Sequence, residues 1–293
     1  MSNILVTGGN GQLGSELKDV SARYPNDTFI FTDVAELDIC NHNTVKEFII
    51  KKEINIIINC AAYTAVDKAE EEFELSNKIN HLAVKNFASI AKEYNIKLIH
   101  VSTDYVFDGT NHVPYQETDE PNPQSVYGVT KLAGENAIQE INPSNTVIIR
   151  TSWVYSSYGN NFVKTMLRLG GERSQLNVVG DQVGGPTSAS SIARSAVTLI
   201  EALLKGAAGG TFHFAGIPDV SWAEFAGTIM DLAGLSCEIA PILSADYPMG
   251  SPRPLNSRMD GSALLEAYGI PRGDWAKDLE HVLTELAEKS DAT

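Results

Sequence analysis

Through the first half of the chain, apolar runs of a few residues alternate with longer stretches in which apolar positions recur every third or fourth residue. The runs at 4–7, 29–32, 54–60, 97–102 and 146–150 predict strands, and the stretches between them predict amphipathic helices. Continuous apolar strands separated by helices of this length imply a parallel sheet covered on both faces, with ligands received at the carboxyl ends of the strands. The expected fold is therefore α/β, a Rossmann-type doubly wound sheet over residues 1–150. Beyond residue 150 the pattern breaks into shorter elements punctuated by Gly184-Gly185-Pro186-Thr187 and Ser251-Pro252-Arg253-Pro254. Residues 151–293 are thus expected to form a smaller mixed α/β domain interleaved with further sheet elements. The chain carries no internal repeat, and only 205–210 reads as low complexity.

The first strand leads into Gly8-Gly9-Asn10-Gly11-Gln12-Leu13-Gly14 and then a helix-compatible stretch from Ser15. In such a turn Gly8 allows the tight bend, Gly11 lets backbone approach a pyrophosphate, and Gly14 lets helix and sheet pack closely, while the helix N-terminus offers unpaired N–H groups. The spacing is one residue longer than the Gly-x-Gly-x-x-Gly dinucleotide fingerprint. The second strand ends at Asp33, where a carboxylate can accept hydrogen bonds from the adenosine ribose and would repel a 2′-phosphate, so NADH is favoured over NADPH. Asp38 and Ile39 are candidate adenine contacts, with Asp38 alternatively the N-cap of a helix from Asn43.

Tyr127 and Lys131 stand four residues apart, on one face of a helix expected to begin around Ser125. A nearby ammonium favours the ionised phenol and should lower its pKa from about 10, making Tyr127 a proton donor for an alkoxide developing on a reduced ketone. The fourth strand leaves Ser102 and Thr103 at its carboxyl end, where a hydroxyl can reach a bound carbonyl. A proline-containing loop of ample length joins them to the Tyr-Lys helix.

The formal net charge of −15 argues against nonspecific binding to nucleic acid or an anionic membrane. Three scattered cysteines, Cys40, Cys60 and Cys237, suit neither a disulfide framework nor a zinc site, and six dispersed histidines form no ligand pair. With no signal-like leader and no membrane-length apolar stretch, a cytoplasmic protein is expected. Residues 1–165 hold 11 Lys and 18 Asn, against 3 Lys and 2 Asn in 166–293. A step of that size near 164–168 suggests halves of different ancestry.

The stretches 8–14, 59–70, 102–109, 127–135, 150–155, 159–162 and 253–257 together resemble the extended short-chain dehydrogenase/reductase family, within it the dTDP-4-dehydrorhamnose reductases. The likeness runs nearly end to end. It implies a catalytic set of Thr103, Tyr127 and Lys131, with the last two also touching the cofactor. Gln12, Leu13, Cys60, Ala61, Ala62 and Tyr63 would line NADH or NADPH, and Thr64, Val66, Asp104 and Trp153 would lie near a sugar. Asn161 and Arg253 would hold a nucleotide diphosphate, making 151–293 mainly a sugar-nucleotide-binding domain. The implied reaction reduces the C4 ketone of dTDP-4-dehydro-β-L-rhamnose. Some family members bind magnesium at a dimer interface through glutamates. Glu16 matches one such position but Ser190 replaces another, so no metal is expected and a homodimer is left open. Two alternatives stand beside this reading. One is another sugar-nucleotide enzyme, although dehydratases follow Thr-Asp with Glu where this chain has Tyr105. The other is a noncatalytic subunit similar to the methionine adenosyltransferase beta subunit, which the intact Thr103, Tyr127 and Lys131 argue against.

Overall fold

The computed structural model describes residues 2–248 and 250–291. In chain order the first half comprises β1 (Asn3–Thr7), α1 (Gln12–Ser21), β2 (Thr28–Thr32), α2 (His42–Lys51) and β3 (Ile56–Asn59). Two short helices, α3 (Val66–Ala69) and α4 (Phe73–Asn77), pass through a π-helical turn at Lys78–Leu82 into α5 (Ala83–Glu93). Then come β4 (Lys97–Thr103), α6 (Val126–Ile141) and β5 (Thr146–Thr151). The remainder is β6 (Val154–Tyr155), α7 (Phe162–Glu172), β7 (Gln175–Val179), β8 (Val183–Gly184), β9 (Thr187–Ser188) and α8 (Ala189–Leu204), followed by β10 (Gly210–His213), β11 (Val220–Ser221), α9 (Trp222–Leu232), β12 (Glu238–Ile242), β13 (Asn256–Ser257), α10 (Ser262–Tyr268) and α11 (Trp275–Asp291).

Six strands form one parallel sheet in the order β10-β5-β4-β3-β1-β2. Alternation sends Ile4, Val6, Ile56 and Ile58 to one face, under α1 and α8, and Leu5, Ile57, Leu98 and Ile148 to the other, under α2, α5 and α6. All eight are fully buried, each contributing about 1.5–3 kcal/mol of apolar burial. The strand order reverses between β1 and β3, and the crevice at their carboxyl ends is where open α/β sheets take ligands.

Five of the six sheet strands coincide with the apolar runs. The sixth, β10, was not visible as a strand, because it begins on the last residue of the Gly/Ala-rich stretch that read as low complexity. That stretch has a steric reason: a Cβ on Gly209 would lie 2.2 Å from the Thr146 carbonyl, so only glycine admits the chain beside β5. Helix α1 begins at Gln12, three residues earlier than expected, and α2 is capped by Asn41, whose side chain accepts from Thr44 N–H at 3.2 Å, rather than by Asp38. A third core packs Tyr155, Val163, Phe225, Ile229, Trp275 and Leu279 between α7, α9 and α11. A capping box between Ser221 and Glu224 starts α9. The step in Lys and Asn content falls inside α7.

Candidate active site

The β1–α1 turn forms one wall of a cleft of about 990 Å³ at the carboxyl ends of the strands. Gly8 has φ +66°, and a Cβ there would lie 2.8 Å from Ala61 N, so the turn touches the backbone after β3 only because residue 8 is glycine. Gly14 lies behind the wall, with a would-be Cβ 2.3 Å from the Gly8 carbonyl. Gly11 is different: a Cβ would meet only the Gly8 carbonyl, at 3.3 Å, and its other side opens into the cleft. Gly11 also N-caps α1 without a side-chain hydrogen bond, leaving backbone donors of the first turn for an anion. At the end of β5, Thr151 presents a buried hydroxyl with no partner among the described residues. A glycine cradle, free helix donors and an orphan hydroxyl lining one cleft fit a dinucleotide.

Gln12, Leu13, Asp33, Asp38 and Ile39 line one end of the same cleft. Asp33 accepts from Asn10 N–H at 3.0 Å and from Val34 N–H, and Asp38 accepts from Cys40 N–H at 2.9 Å. Cys60, Ala61, Ala62, Thr64 and Val66 line its middle. Tyr63 does not reach the wall: its hydroxyl donates to Glu72 at 2.5 Å, and Asn80 clamps its peptide on both sides, at 2.8 and 3.1 Å. Asn80 sits in the π-helical turn, where α6 approaches so closely that a Cβ on Gly134 would stand 2.3 Å from its carbonyl.

At the deep end, β4 and α6 bring Thr103, Tyr127 and Lys131 together. Ser125 caps α6 through Gly128 N–H, as its position before the helix predicts. The sequence left Ser102 and Thr103 as candidates, and the structure separates them. The Ser102 hydroxyl donates to Glu135, which is paired with buried Arg150 at 2.6 Å, whereas Thr103 faces Tyr127. Thr103 donates to Asp104 Oδ1 at 2.9 Å, and Ser257 donates to Asp104 Oδ2 at 2.5 Å. Burial pushes the Asp104 carboxyl up to about 6, against the pull of these two hydrogen bonds.

One electrostatic expectation is corrected. Burial raises the Tyr127 phenol to about 12, and the group that pulls it back is Thr103 rather than Lys131. The lysine amine donates instead to the Val101 carbonyl at 2.6 Å, and burial lowers its own pKa to about 8. Tyr127 is therefore held protonated, the form a proton donor needs.

Trp153 joins this cleft to a second pocket of about 350 Å³ lined also by Trp222, Tyr105, Arg253 and Gln182. Its backbone is left-handed, φ +50°, a costly state for a bulky residue, and its indole stacks on Trp222 with ring centroids 3.6 Å apart. Arg253 lies in the second pocket, in a two-point ion pair with Asp67 at 2.7 and 2.8 Å. Asn161 reaches neither cavity wall; it caps α7 through Lys164 N–H and donates to Gln12 and to the Ser156 carbonyl. Trp222 and Ser257 went unrecognised, the first because a Trp opening an amphipathic helix reads as core, the second because its partner is 153 residues away.

The family model described as RmlD substrate binding domain matches residues 1–288. The dTDP-4-dehydrorhamnose reductase of Aggregatibacter actinomycetemcomitans is 41% identical, over 96% of this chain and 98% of that one. The chain belongs to the dTDP-4-dehydrorhamnose reductase family. A solved dTDP-4-dehydrorhamnose reductase from Clostridium acetobutylicum superposes with a TM-score of 0.92 at 41% identity, covering 97% of this chain and 99% of its own. That of Bacillus anthracis, solved in complex with NADP, gives 0.91 at 36% identity and the same coverage. Family membership makes the chain an NAD(P)-dependent oxidoreductase; with NADP held by a relative, the lean toward NADH drawn from Asp33 is not carried further. No helix among the described residues is long and apolar enough to cross a membrane. Around Glu16, Ser190 is hydrogen-bonded to Ser188 and Arg194, and Arg194 and Lys289 are the cations facing the carboxylate.

Proposed function

We propose that this chain reduces the C4 ketone of dTDP-4-dehydro-β-L-rhamnose to dTDP-β-L-rhamnose. The observation that carries this reading is the meeting of Thr103 and Tyr127 on the wall of a dinucleotide-shaped cleft that opens, past Trp153, into a second pocket holding an arginine. Gly8, Gly11, Gln12, Leu13, Asp33, Asp38, Ile39 and the 60–62 segment would hold NAD(P)H, which supplies a hydride from nicotinamide C4 when bound. Lys131 would bind the nicotinamide ribose.

Thr103 would turn its hydroxyl from Asp104 to the ketone oxygen and polarise the carbonyl. Tyr127, protonated at rest, would deliver its proton to the developing alkoxide, a contribution of about 10²–10⁴-fold for a positioned acid. Trp153, Thr64 and Val66 would pack the sugar, and Arg253 would take the diphosphate, exchanging its Asp67 partner for phosphate oxygens. Asp104, tied by Ser257, orients Thr103. Residues 151–293 would then form the sugar-nucleotide half and 1–150 the cofactor half. Absorbance of NADPH and of NADH at 340 nm, followed with freshly prepared dTDP-4-dehydro-β-L-rhamnose, tests the reading. Loss of absorbance with formation of the rhamnosyl nucleotide is expected, and no oxidation of either cofactor would sink it.

A further inference from the structure

Beneath the cleft, a row of three buried polar side chains crosses the central strands on the sheet face covered by α6. Thr7, Asn59 and His100 are register partners across the adjacent strands β1, β3 and β4, and all are at most 1% exposed. They replace the aliphatic positions that Leu5, Ile57 and Leu98 occupy two residues earlier on the same strands. Three buried polar groups in the centre of a sheet are costly unless every hydrogen bond is made and serves something. The row ends on Lys131: the Thr7 hydroxyl donates to Asn59 Oδ1 at 2.7 Å, Asn59 Nδ2 meets His100 Nδ1 at 3.0 Å, and His100 Nε2 lies 3.4 Å from the lysine Nζ.

We propose that this row fixes the tautomer of His100 and aims its Nε2–H at Lys131, making His100 a positioning residue that governs the charge state of that amine. The direction follows from the first link. With the carbonyl oxygen of Asn59 taken by Thr7, the amide turns its N–H toward His100, whose Nδ1 must then be the acceptor and whose single proton must sit on Nε2. The other tautomer requires the amide to turn over, which deprives the buried Thr7 hydroxyl of that acceptor. An ammonium cannot accept from Nε2–H, whereas a neutral amine can, while still donating to Val101. The imidazole itself stays neutral, because burial and the facing lysine both hold its pKa well below the usual value. The other titratable groups acting on Lys131 are Glu135 on its own helix and Cys60 after β3. Both favour the ammonium, but Glu135 is already engaged by Arg150 and Ser102. The row therefore makes Lys131 easier to deprotonate.

The test is the titration of Lys131 in cofactor-free protein labelled with [13Cε]lysine, its signal assigned by loss in Lys131→Met. Thr7→Val keeps the shape but removes the donor, frees Asn59 to turn over and lets Nε2 accept from the ammonium. We expect the Lys131 titration to move upward by about half a pH unit or more, Thr7→Ser to restore it, and His100→Leu to move it the same way. Nitrogen-15 shifts of labelled histidine should show Nδ1 unprotonated in the wild type. An unmoved or lowered Lys131 titration in Thr7→Val, or a protonated Nδ1 in the wild type, overturns the proposal. The kinetic counterpart, an upward move of the basic limb of kcat/KM, rests on the reductase reading. The two NMR measurements do not, so a failure of that reading and a failure of this one are told apart.

Discussion

Replacing Glu16 by Gln should stabilise the protein at alkaline pH and leave it nearly unchanged in mild acid. Glu16 lies on α1 at 4% exposure, with Oε1 unpartnered among the described residues. Burial, then Glu285, then Asp19 push its carboxyl up from 4.5 to about 7, against the opposing pull of Lys289 and Arg194. Because the folded value lies above the unfolded one, the native state holds the proton more tightly. Its contribution is favourable below about 4.5, and stability is lost as the pH rises through about 7. Two and a half pKa units at 1.36 kcal/mol each set an upper bound of about 3 kcal/mol. Residual solvation of the carboxyl reduces the expected effect to about 1–2 kcal/mol. Asp104, raised to about 6, drifts in the same direction, so the comparison must be variant against wild type at each pH. Urea unfolding at pH 5 and pH 8.5 measures it: Glu16→Gln should lie within about 0.5 kcal/mol of wild type at the lower pH and about 1–2 kcal/mol above it at the higher. A difference that does not change with pH, or a less stable variant at pH 8.5, refutes the reasoning.

Gly14→Ala places a Cβ 2.3 Å from the Gly8 carbonyl and should weaken cofactor binding at least tenfold, read by fluorescence titration with NADPH; unaltered affinity would show that the turn yields freely. Trp153→Ala removes the stack on Trp222 between the two pockets, and should raise KM for the nucleotide sugar roughly tenfold or more while leaving NADPH affinity within about twofold, by steady-state kinetics and titration. Glu135→Gln strands buried Arg150 and should cost about 3 kcal/mol in urea unfolding; a loss below about 1 kcal/mol would mean that His213 or solvent takes over the guanidinium.

The parts of this architecture that were legible are those where chemistry and chain proximity coincide. The 8–14 turn announces itself because its glycines meet backbone at 2.3 to 3.3 Å, and Tyr127 and Lys131 share a helix face by spacing alone. Assignments that depend on distant packing were less legible. The π-helical turn exists because Asn80 bridges the Tyr63 peptide and Thr130 while Gly134 presses on its carbonyl, contacts that no local pattern encodes. Lys131 was expected to act on Tyr127, but its amine is claimed by Val101 and His100, a competition visible only once β4 lies beneath α6. The helix-cap alternative for Asp38 falls to Asn41, which stands directly before the first turn of α2. The link from Ser257 to Asp104 joins elements 153 residues apart.

The central claim is hydride delivery to a sugar ketone with Tyr127 as the proton donor. It is tested most directly with cofactor deuterated at nicotinamide C4, one face at a time, incubated with dTDP-4-dehydro-β-L-rhamnose and wild-type or Tyr127→Phe protein. One labelled face should place deuterium on C4 of the rhamnosyl product with wild type, and Tyr127→Phe should slow this by about 10²-fold or more while still binding cofactor. Deuterium that stays in the cofactor from both faces, or a Tyr127→Phe variant as fast as wild type, would contradict the account.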